Sequence, residues 1–309
     1  MIGASVPPSA HCIQIMETTF VEIHCPVCDH DKYRVLHANT LGDSLPDLGY
    51  KFTPNHLRVY RIVKCISCGH MYCSPLPKQL FEQYVDVEDI EYLRNEAQRL
   101  ATAAKVIDTL QKYRKTGRLL DVGCSTGDFL RVASRHYDVE GIELSKWAAG
   151  IARERGLEIH ECCLSDLRST QPYDVVTLWG VIEHLENPKN EINHIFRLMN
   201  HDGILCIWTG NVDSLTARLL GKKWWYFMGQ HIQYFSETTL HRLLEQCGFR
   251  RVIIQNYPYV LNMASVANSI GRYPLLSKLL AGILRSRTLS SAEITFALPG
   301  EMFAIYSRV

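Results

Sequence analysis

The sequence of 309 residues has almost no excess of charge of either sign. Lysine and arginine together number 33 and aspartate and glutamate 32, which gives a formal net charge of +1 at pH 7. A chain of this kind lacks the overall field that draws a protein to nucleic acid or to an anionic membrane. We therefore expect a small-molecule or glycan partner and no nucleic acid.

Long apolar runs are missing as well. No stretch approaches the roughly 20 apolar residues that a membrane-spanning helix requires. Residues 1–20 lack the basic start and apolar stretch of a secretion signal. We expect no membrane span, a cytoplasmic location, a disordered tail over residues 1–20, and Met16 as an alternative start. The sequence leaves the oligomeric state open.

Cysteine, in contrast, is plentiful, and its number of 11 is odd. Four cysteines form two C-x2-C pairs, a spacing that favours a metal over a disulfide framework. We predict that Cys25, Cys28, Cys65 and Cys68 bind one Zn²⁺, which is structural because four thiolates leave no open position. Free thiols or an iron–sulfur cluster are the alternatives, and Cys73 could replace one of the ligands.

The chain is expected to divide into three parts after residue 20. Residues 21–80 are turn-rich, with an alternating stretch at 57–64 that predicts a strand leading into the second cysteine pair. This part is interpreted as a zinc-ribbon-like module. Residues 81–116 have helical spacing and are interpreted as a linker or cap. Residues 117–309 are expected to form the large domain, with an aromatic-rich insertion around 212–236.

Short apolar runs alternate with amphipathic helical stretches from residue 118 onward. Strands are predicted at 119–122, 139–142, 157–160, 175–178, 204–208, 251–254 and 302–306. Alternation of this kind is typical of α/β proteins with a doubly wound sheet. The predicted architecture is a mostly parallel, seven-stranded, Rossmann-like sheet with a small N-terminal zinc-binding module.

A glycine-punctuated turn, residues 123–127, follows the first of these strands and leads into a helix. Gly123 and Gly127 would let the backbone approach a ligand, and the helix N-terminus attracts an anion. The next strand ends in Glu143, whose carboxylate could accept hydrogen bonds from both hydroxyls of a ribose. A dinucleotide site is the competitor, but it requires G-x-G-x-x-G, and Ser125 occupies the middle position here. The spacing therefore favours an adenosyl ligand.

The segment from Asp121 to Gly127 resembles the first motif of class I S-adenosylmethionine-dependent methyltransferases, an acidic residue followed by G-x-G-x-G. The resemblance extends over roughly residues 117–260. It implies that Asp121 holds the amino group of the methionine part of the methyl donor, S-adenosylmethionine. The further donor-binding residues that it implies are Gly123, Cys124, Ser125 and Gly127 on the methionine and ribose side, Glu143 at the ribose, Leu144 and Ser145 beside the adenine, Asp166 at the adenine amino group, and Trp179. A solvated helix N-cap is the alternative for Asp166.

Two histidines are candidates for the base that methyl transfer often needs to remove the acceptor's proton. His184 follows the fourth strand, at the sheet edge where ligands of this architecture bind. His231 lies among aromatic residues, from Trp224 to Phe235, that could form a sugar-stacking or lid surface. The alternatives are a His184 that only braces its loop and aromatic residues that are ordinary core.

Glu183 and His184 are also similar to a pair through which some methyltransferases bind a catalytic divalent ion. Those enzymes have a further acid three residues earlier, where this chain has Gly180. A catalytic metal is therefore not expected.

The run from Gly221 to Ser236 is similar to bacterial methyltransferases of surface-polysaccharide and deoxysugar pathways, and deoxysugar C-methyltransferases have a comparable zinc module. The resemblance implies a methyltransferase that acts on a hydroxyl of a sugar or polysaccharide precursor. Alternatives are a quinone, a polyketide or another small molecule as acceptor, and RNA, for which the neutral charge is unfavourable. A non-catalytic zinc-ribbon adaptor is a further alternative, against which the retained Asp121 and Glu143 argue.

Overall fold

A computed structural model describes residues 19–42, 57–78, 80–262 and 293–309. A disordered tail is expected at residues 1–20, and its residues 1–18 lie outside the described residues. Within the described ranges, no helix has both the length and the apolar character that crossing a membrane would require.

Five short strands precede the large domain. They are β1 (Phe20–Val21), β2 (Tyr33–His37), β3 (Ile62–Cys65), β4 (Met71–Cys73) and β5 (Leu76–Pro77). Strands β2, β3 and β4 form an antiparallel sheet, and β1 pairs with β5. The strand expected at 57–64 begins only at Ile62. Leu57 has a φ of 64°, a left-handed conformation that interrupts an extended run.

The connection to the large domain is helical only in part. Two 3₁₀ helices, Glu82–Asp86 and Ile90–Asn95, precede α1 (Glu96–Leu110). The apolar residues of α1 recur every three or four positions, so they share one buried face, which includes Val106 and Leu110. The helical spacing predicted from residue 81 therefore produces a continuous α-helix only from Glu96.

The large domain alternates strands and helices. Its strands are β6 (Arg118–Val122), β7 (Asp138–Ile142), β8 (Glu158–His160), β9 (Tyr173–Trp179), β10 (Met199–Gly210), β11 (Gln233–Tyr234), β12 (Phe249–Asn262) and β13 (Glu293–Arg308). Its α-helices are α2 (Asp128–Ala133), α3 (Lys146–Glu154), α4 (Pro188–Leu198), α5 (Leu215–Leu220) and α6 (Glu237–Gln246). Three 3₁₀ helices lie between them at Leu164–Asp166, Ile182–His184 and Gly221–Lys223.

Seven of these strands form one sheet in the order β12-β13-β10-β9-β6-β7-β8. The neighbours from β8 to β10 run parallel, and β13 runs antiparallel to both β10 and β12. The predicted α/β class and the seven-stranded, mostly parallel sheet are therefore confirmed. The carboxyl ends of β6, β7 and β9 meet at one edge, and the predicted site residues follow these strands.

Helices cover both faces of this sheet. Successive side chains of a strand point to opposite faces, so Leu119 and Leu120 of β6 enter different cores. One core is completed by α1, α2 and α3. The other is completed by α4 and α6 and also contains residues of the N-terminal strands, among them Val27 and Val63. The N-terminal part of the chain thus packs into a core of the large sheet.

The insertion after β10 packs against the N-terminal strands. Strand β11 pairs antiparallel with β4 and becomes the edge of the sheet in the order β11-β4-β3-β2. A third core lies between the two parts, with Tyr60 and Ile62 on one side and Trp224 and Tyr234 on the other. The insertion is therefore built into the N-terminal sheet.

Candidate functional site

The glycine turn, residues 123–127, connects β6 to α2 through three left-handed residues. Gly123 has a φ of 72°, Ser125 of 50° and Gly127 of 78°. Glycine adopts this region freely, whereas a serine there is strained by its Cβ atom. Ser125 therefore adopts a conformation that a glycine would adopt without strain.

Packing within the chain explains the two glycines. A Cβ atom at Gly123 would lie 2.7 Å from Val181 Cγ2, and one at Gly127 would lie 2.3 Å from Leu157 Cδ1. These contacts give a reason for glycine within the chain, and the approach of a ligand to the same residues stays a prediction. Val181 belongs to the loop after β9, so the same contact brings that loop onto the turn.

Glu143 holds the turn together from the carboxyl end of β7. Its Oε2 atom accepts a hydrogen bond from the backbone N–H of Ser125 at 2.8 Å, and its Oε1 atom accepts one from that of Ser145, also at 2.8 Å. The side chain is buried, and burial raises the pKa of its carboxyl group above the usual value, while these N–H donors lower it. The carboxylate therefore lies beside the turn, where the resemblance places the ribose.

Asp121 lies next to the end of β6 and is also buried. Its Oδ1 atom accepts a hydrogen bond from Thr177 Oγ1 at 2.6 Å. Burial raises the pKa of Asp121 to about 8, and the nearby Glu143 contributes to that rise. No cationic side chain acts on this carboxyl group among the described residues. A bound ammonium group would supply the missing positive charge, so the residue fits the role of holding an amino group.

The remaining predicted donor residues differ in how close they lie to the turn. Cys124 points into the core, since its sulfur would lie 2.6 Å from a Cβ atom at Gly141, so a ligand would meet its backbone. Ser145 caps α3 and donates a hydrogen bond to the carbonyl oxygen of Val87 at 2.7 Å. Leu144, between Glu143 and Ser145, is half-buried. These residues sit at the same edge as the turn.

Asp166 and Trp179 lie on the two sides of the strand pair β6 and β7. Asp166 is exposed and ends a short 3₁₀ helix whose N-cap is Cys163, so the N-cap alternative is wrong. No contact joins it to the glycine turn among the described residues. Trp179 ends β9 and packs edge-on against Phe129, with ring centroids 4.9 Å apart. Its indole Nε1 is buried without a hydrogen-bond partner, a donor that is free for a ligand.

Two further residues lie at the turn or at the helix that follows it, and neither was predicted. The guanidinium of Arg99 lies 3.6 Å above the ring of Tyr92 and donates to the Tyr92 carbonyl oxygen at 2.6 Å. Arg99 Nε also donates to Asp128 Oδ2 at 2.6 Å. Burial raises the pKa of Tyr92, which lies close enough to Ser125 and Glu143 for both to act on it. No motif marks Tyr92, because its contact with the turn arises only from the fold.

His184 and His231 come together at the same edge of the sheet, with ring centroids 4.9 Å apart. His184 Nδ1 lies 2.8 Å from the carbonyl oxygen of Gln230, and His231 Nδ1 lies 2.9 Å from that of Tyr226. A carbonyl oxygen only accepts, so both Nδ1 atoms carry protons and both Nε2 atoms have free lone pairs. Burial lowers the pKa of His184 to about 4 and that of His231 well below the usual value, so both rings are neutral at pH 7.

Glu183 joins the two histidines. It accepts hydrogen bonds from the hydroxyl of Tyr226 and from Thr209 Oγ1, the latter at 2.9 Å. Burial raises the pKa of Glu183 to about 7. One ligand atom from each of Glu183, His184 and His231 lies within 4.8 Å of the others, so the three side chains could hold a metal ion as well as a proton. The sequence did not indicate that these three side chains converge, because Gly180 stands where a further acidic metal ligand would be expected.

The aromatic residues of the insertion are mostly core. Trp224, Tyr226 and Tyr234 are buried between the insertion and the N-terminal strands, and Trp225 is half-buried. The expectation of a sugar-stacking or lid surface is therefore wrong for the buried rings, because their faces already pack on other parts of the chain. Their role is to hold the segment that carries His231.

The four predicted cysteine ligands converge in the N-terminal module. Their sulfur atoms lie within 4.8 Å of one another, and the pairs Cys25–Cys68 and Cys28–Cys65 are 3.5 Å apart. A tetrahedral ion with bonds of about 2.3 Å would separate its sulfur ligands by about 3.8 Å. The backbone N–H groups of Val27 and Cys28 donate to the Cys25 sulfur. The arrangement fits a four-thiolate metal, and Cys73 lies apart from it.

A family model described as a methyltransferase domain matches residues 92–253. This range includes the glycine turn, Glu143, Trp179 and His231, and it excludes the four cysteines.

Curated relatives are similar to this chain over part of their length. An uncharacterized protein of Methanocaldococcus jannaschii is 24% identical over 176 residues, which make up 56% of this chain and 82% of that protein. The ubiquinone biosynthesis O-methyltransferase of Aeromonas salmonicida is 33% identical over 147 residues, 42% of this chain and 62% of that enzyme. The chain thus spans less than two thirds of the length of the second relative.

Among solved structures, a complex between the Haloferax volcanii Trm112 methyltransferase activator and the putative methyltransferase contains a similar chain. The TM-score is 0.52 at 13% identity, and the match covers 72% of this chain and 99% of that chain. At this identity the likeness concerns the fold.

Proposed function

Since the chain belongs to the methyltransferase domain family and is an S-adenosylmethionine-dependent methyltransferase, we propose that its acceptor is a hydroxyl group of a sugar or polysaccharide precursor. S-adenosylmethionine supplies an electrophilic methyl group that an oxygen atom can attack in line. The protein's part is to orient the acceptor, exclude water and take up the acceptor's proton.

One observation carries the proposal: the glycine turn and the two histidines occupy the same edge of the sheet. Gly123 packs against Val181, and Val181 precedes His184 by three residues. A donor bound at the turn would therefore present its methyl group toward the histidines.

On this proposal, Asp121 binds the methionine amino group and Glu143 the ribose hydroxyls. The backbone of Gly123 to Gly127 faces the rest of the methionine part, Leu144 and Ser145 flank the adenine, and Trp179 borders the donor. Asp166 would have to approach the adenine amino group from an exposed position. Tyr92 contacts Ser125 of the turn.

The histidine Nε2 atoms are the proposed contacts of the acceptor. His231 Nε2 accepts the hydroxyl proton or a hydrogen bond that orients the hydroxyl, and His184 is the second candidate for this role. Both rings are fixed through Nδ1, and the low pKa of each keeps it neutral, which is the state that a base requires. The oxygen would then form its bond to the methyl carbon as the carbon–sulfur bond of the donor breaks and S-adenosylhomocysteine leaves, while the hydroxyl proton passes to the imidazole.

The four cysteines are proposed to bind one structural Zn²⁺, which would hold residues 21–80 as a module. The free thiols that such a site needs are typical of the cytoplasm. We propose that residues 81–116 form the helical connection and that residues 117–309 form the methyltransferase domain, with its insertion around 212–236. A small-molecule or glycan acceptor is consistent with the net charge of +1.

A phenolic acceptor is the second candidate. Several relatives are named ubiquinone biosynthesis O-methyltransferases, among them the Aeromonas salmonicida enzyme with its 33% identity. Such an acceptor also presents a hydroxyl oxygen, so the histidines would serve it in the same way.

The test is a screen with radiolabelled S-adenosylmethionine over nucleotide sugars, glycans and phenols, followed by variants measured on the best acceptor. His231→Ala should lower turnover by roughly 10²–10⁴ with donor affinity unchanged, because His231 has no contact with the glycine turn among the described residues. His184→Ala is the matched variant. Label transfer to phenols alone would overturn the sugar proposal, and near-normal turnover of His231→Ala would move the base to His184.

A further inference from the structure

The four-cysteine module and the histidine loop are joined by a shared sheet. Strand β11 begins two residues after His231 and pairs with β4, which begins three residues after Cys68. The backbone N–H of Cys73 donates to the carbonyl oxygen of Ile232 at 2.9 Å. The backbone N–H of Ile232 donates in turn to the carbonyl oxygen of Glu183 at 2.9 Å. The module therefore reaches both histidine segments through the backbone.

A second connection runs through side chains and begins at His70. The backbone N–H of His70 donates to the sulfur of Cys68, and its carbonyl oxygen accepts from the N–H of Cys65 at 2.9 Å. His70 is thus attached to two of the four cysteines. Its ring is fully buried and packs against Phe235 with centroids 4.7 Å apart.

Gln233 continues this connection to His184. Its Oε1 atom lies 3.0 Å from His70 Nε2, and its Nε2 atom donates to the carbonyl oxygen of Leu185 at 3.1 Å. The amide orientation follows from its partners, since the Leu185 carbonyl can only accept. His70 Nε2 must then carry the proton and donate to Gln233. Both side chains are fully buried, so losing either bond leaves buried polar atoms unpaired.

We infer that Gln233, held by His70, is a positioning residue through which the four-cysteine module sets the geometry of His184 and His231. The module then does more than fold the N-terminal part of the chain: it is a structural support of the acceptor site, separate from the donor site. The inference rests on the proposed role of the two histidines, but it can be tested without knowing the acceptor.

The experiment compares amide hydrogen exchange and histidine ring signals in the full-length, zinc-loaded protein and in Gln233→Met. Methionine keeps the length of the side chain and removes both hydrogen bonds. Exchange in residues 181–187 and 228–234 should rise about tenfold or more, because losing even one buried hydrogen bond of typical strength has an effect of about this size and the variant loses two. The ring signals of His184 and His231, observed with ¹³C-labelled histidine, should shift.

Two readouts separate positioning from general destabilisation. Zinc content and the affinity for S-adenosylhomocysteine should stay at the parent values, and exchange in residues 121–127 should not change. His70→Phe, which keeps a ring against Phe235, should reproduce the effect from the module side. Tyr33→Phe, which removes a module hydroxyl bonded to Glu22, is the control and should leave the histidine signals in place.

Unchanged exchange and unchanged ring signals in Gln233→Met would overturn the inference, as would a rise in exchange that includes residues 121–127 equally. Failure of the acceptor screen would bear on the proposed function alone, because none of these readouts involves an acceptor.

Discussion

The two carboxyl groups at the glycine turn are buried for different purposes. Glu143 is satisfied by the backbone N–H groups of Ser125 and Ser145, so it stabilises the turn before any ligand binds. Asp121 accepts a hydrogen bond from Thr177, and no cation acts on it among the described residues. A buried acid without a positive partner favours its protonated form. Asp121 is thus the residue whose state should change most when the donor arrives.

Asp121 should release a proton when the donor binds. With a pKa of about 8 it is mostly protonated at pH 7, and the ammonium group of the donor lowers that pKa by stabilising the carboxylate. We expect the release of close to one proton per donor at about pH 6–7 and less as the pH rises through 8. Calorimetry in buffers of different ionisation enthalpy measures this number.

Asp121→Asn is the matched variant for this measurement. Asparagine keeps an oxygen that can accept from Thr177 but has no proton to lose, so its binding should release none. Glu140→Gln, changed in the middle of β7 where Glu140 bonds Tyr173, should release as the parent does. Donor binding by the parent without proton release below neutral pH would show that Asp121 does not meet the amino group.

Sequence reasoning found the residues of this site that a local pattern marks. Asp121 lies near the carboxyl end of β6 and Glu143 directly follows the adjacent parallel strand β7, so their proximity could be predicted from strand order. Asp166 could not be placed, because its loop has no periodicity and the structure leaves it exposed. Tyr92 could not be found either, since it reaches the turn from a segment that precedes α1 and no local pattern links that segment to β6.

At the scale of elements, the segment before α1 covers the glycine turn. The 3₁₀ helix Ile90–Asn95 carries Tyr92, and Arg99 on the first turn of α1 fixes this residue by stacking on its ring and bonding its carbonyl oxygen. Arg99 also bonds Asp128, the first residue of α2. One side chain therefore ties three elements together over the turn.

Arg99→Ala should weaken donor binding and speed donor release. A cation–π contact is worth about 0.5–2 kcal/mol, so we expect the dissociation constant to rise roughly 2- to 30-fold, mainly through a faster off-rate. Asp128 keeps its bond to Arg155 at 2.8 Å, so α2 should stay in place. Stopped-flow fluorescence with S-adenosylhomocysteine measures both rates. Arg94→Ala, an exposed arginine of the same 3₁₀ helix, is the control, and equal effects of both changes would contradict the covering role.

The elements that sequence predicted well are those whose pattern is repeated. The strands of the large sheet contain short apolar runs, and each of the seven strands overlaps its predicted run. The strand at 57–64 was wrong over its first half, because alternation does not reveal that Leu57 is left-handed. The pairing of β11 with β4 had no sequence signal, since a two-residue strand has no periodicity and its partner lies in a distant part of the chain.

For the molecule as a whole, the N-terminal module shares its core with the large domain. Cys25, Val27 and Tyr72 belong to the same buried cluster as Val176 of the central strand β9. The aromatic insertion fills a further core against β3 and β4. Composition and cysteine spacing predicted a separate small module, but they do not tell whether it unfolds on its own. The shared cores indicate that it does not.

Removal of the proposed zinc ion should therefore lower the stability of the whole chain. Structural zinc in small modules contributes about 10 kcal/mol or more to the free energy of unfolding. A loss of 1 kcal/mol lowers the melting temperature of a chain of this size by about 2–4 °C. Losing half of the zinc contribution should therefore lower the melting temperature by roughly 10–20 °C. Scanning calorimetry should show one transition for the zinc-loaded protein and one transition at lower temperature after treatment with a chelator under reducing conditions. Cys68→Ser should behave like the chelated protein, whereas Cys163→Ser, at an exposed cysteine outside the cluster, should melt like the parent. A separate low-temperature transition with the main transition unmoved would show that the module is an independent unit, because the cores it shares with the sheet would then contribute nothing to the stability of either part.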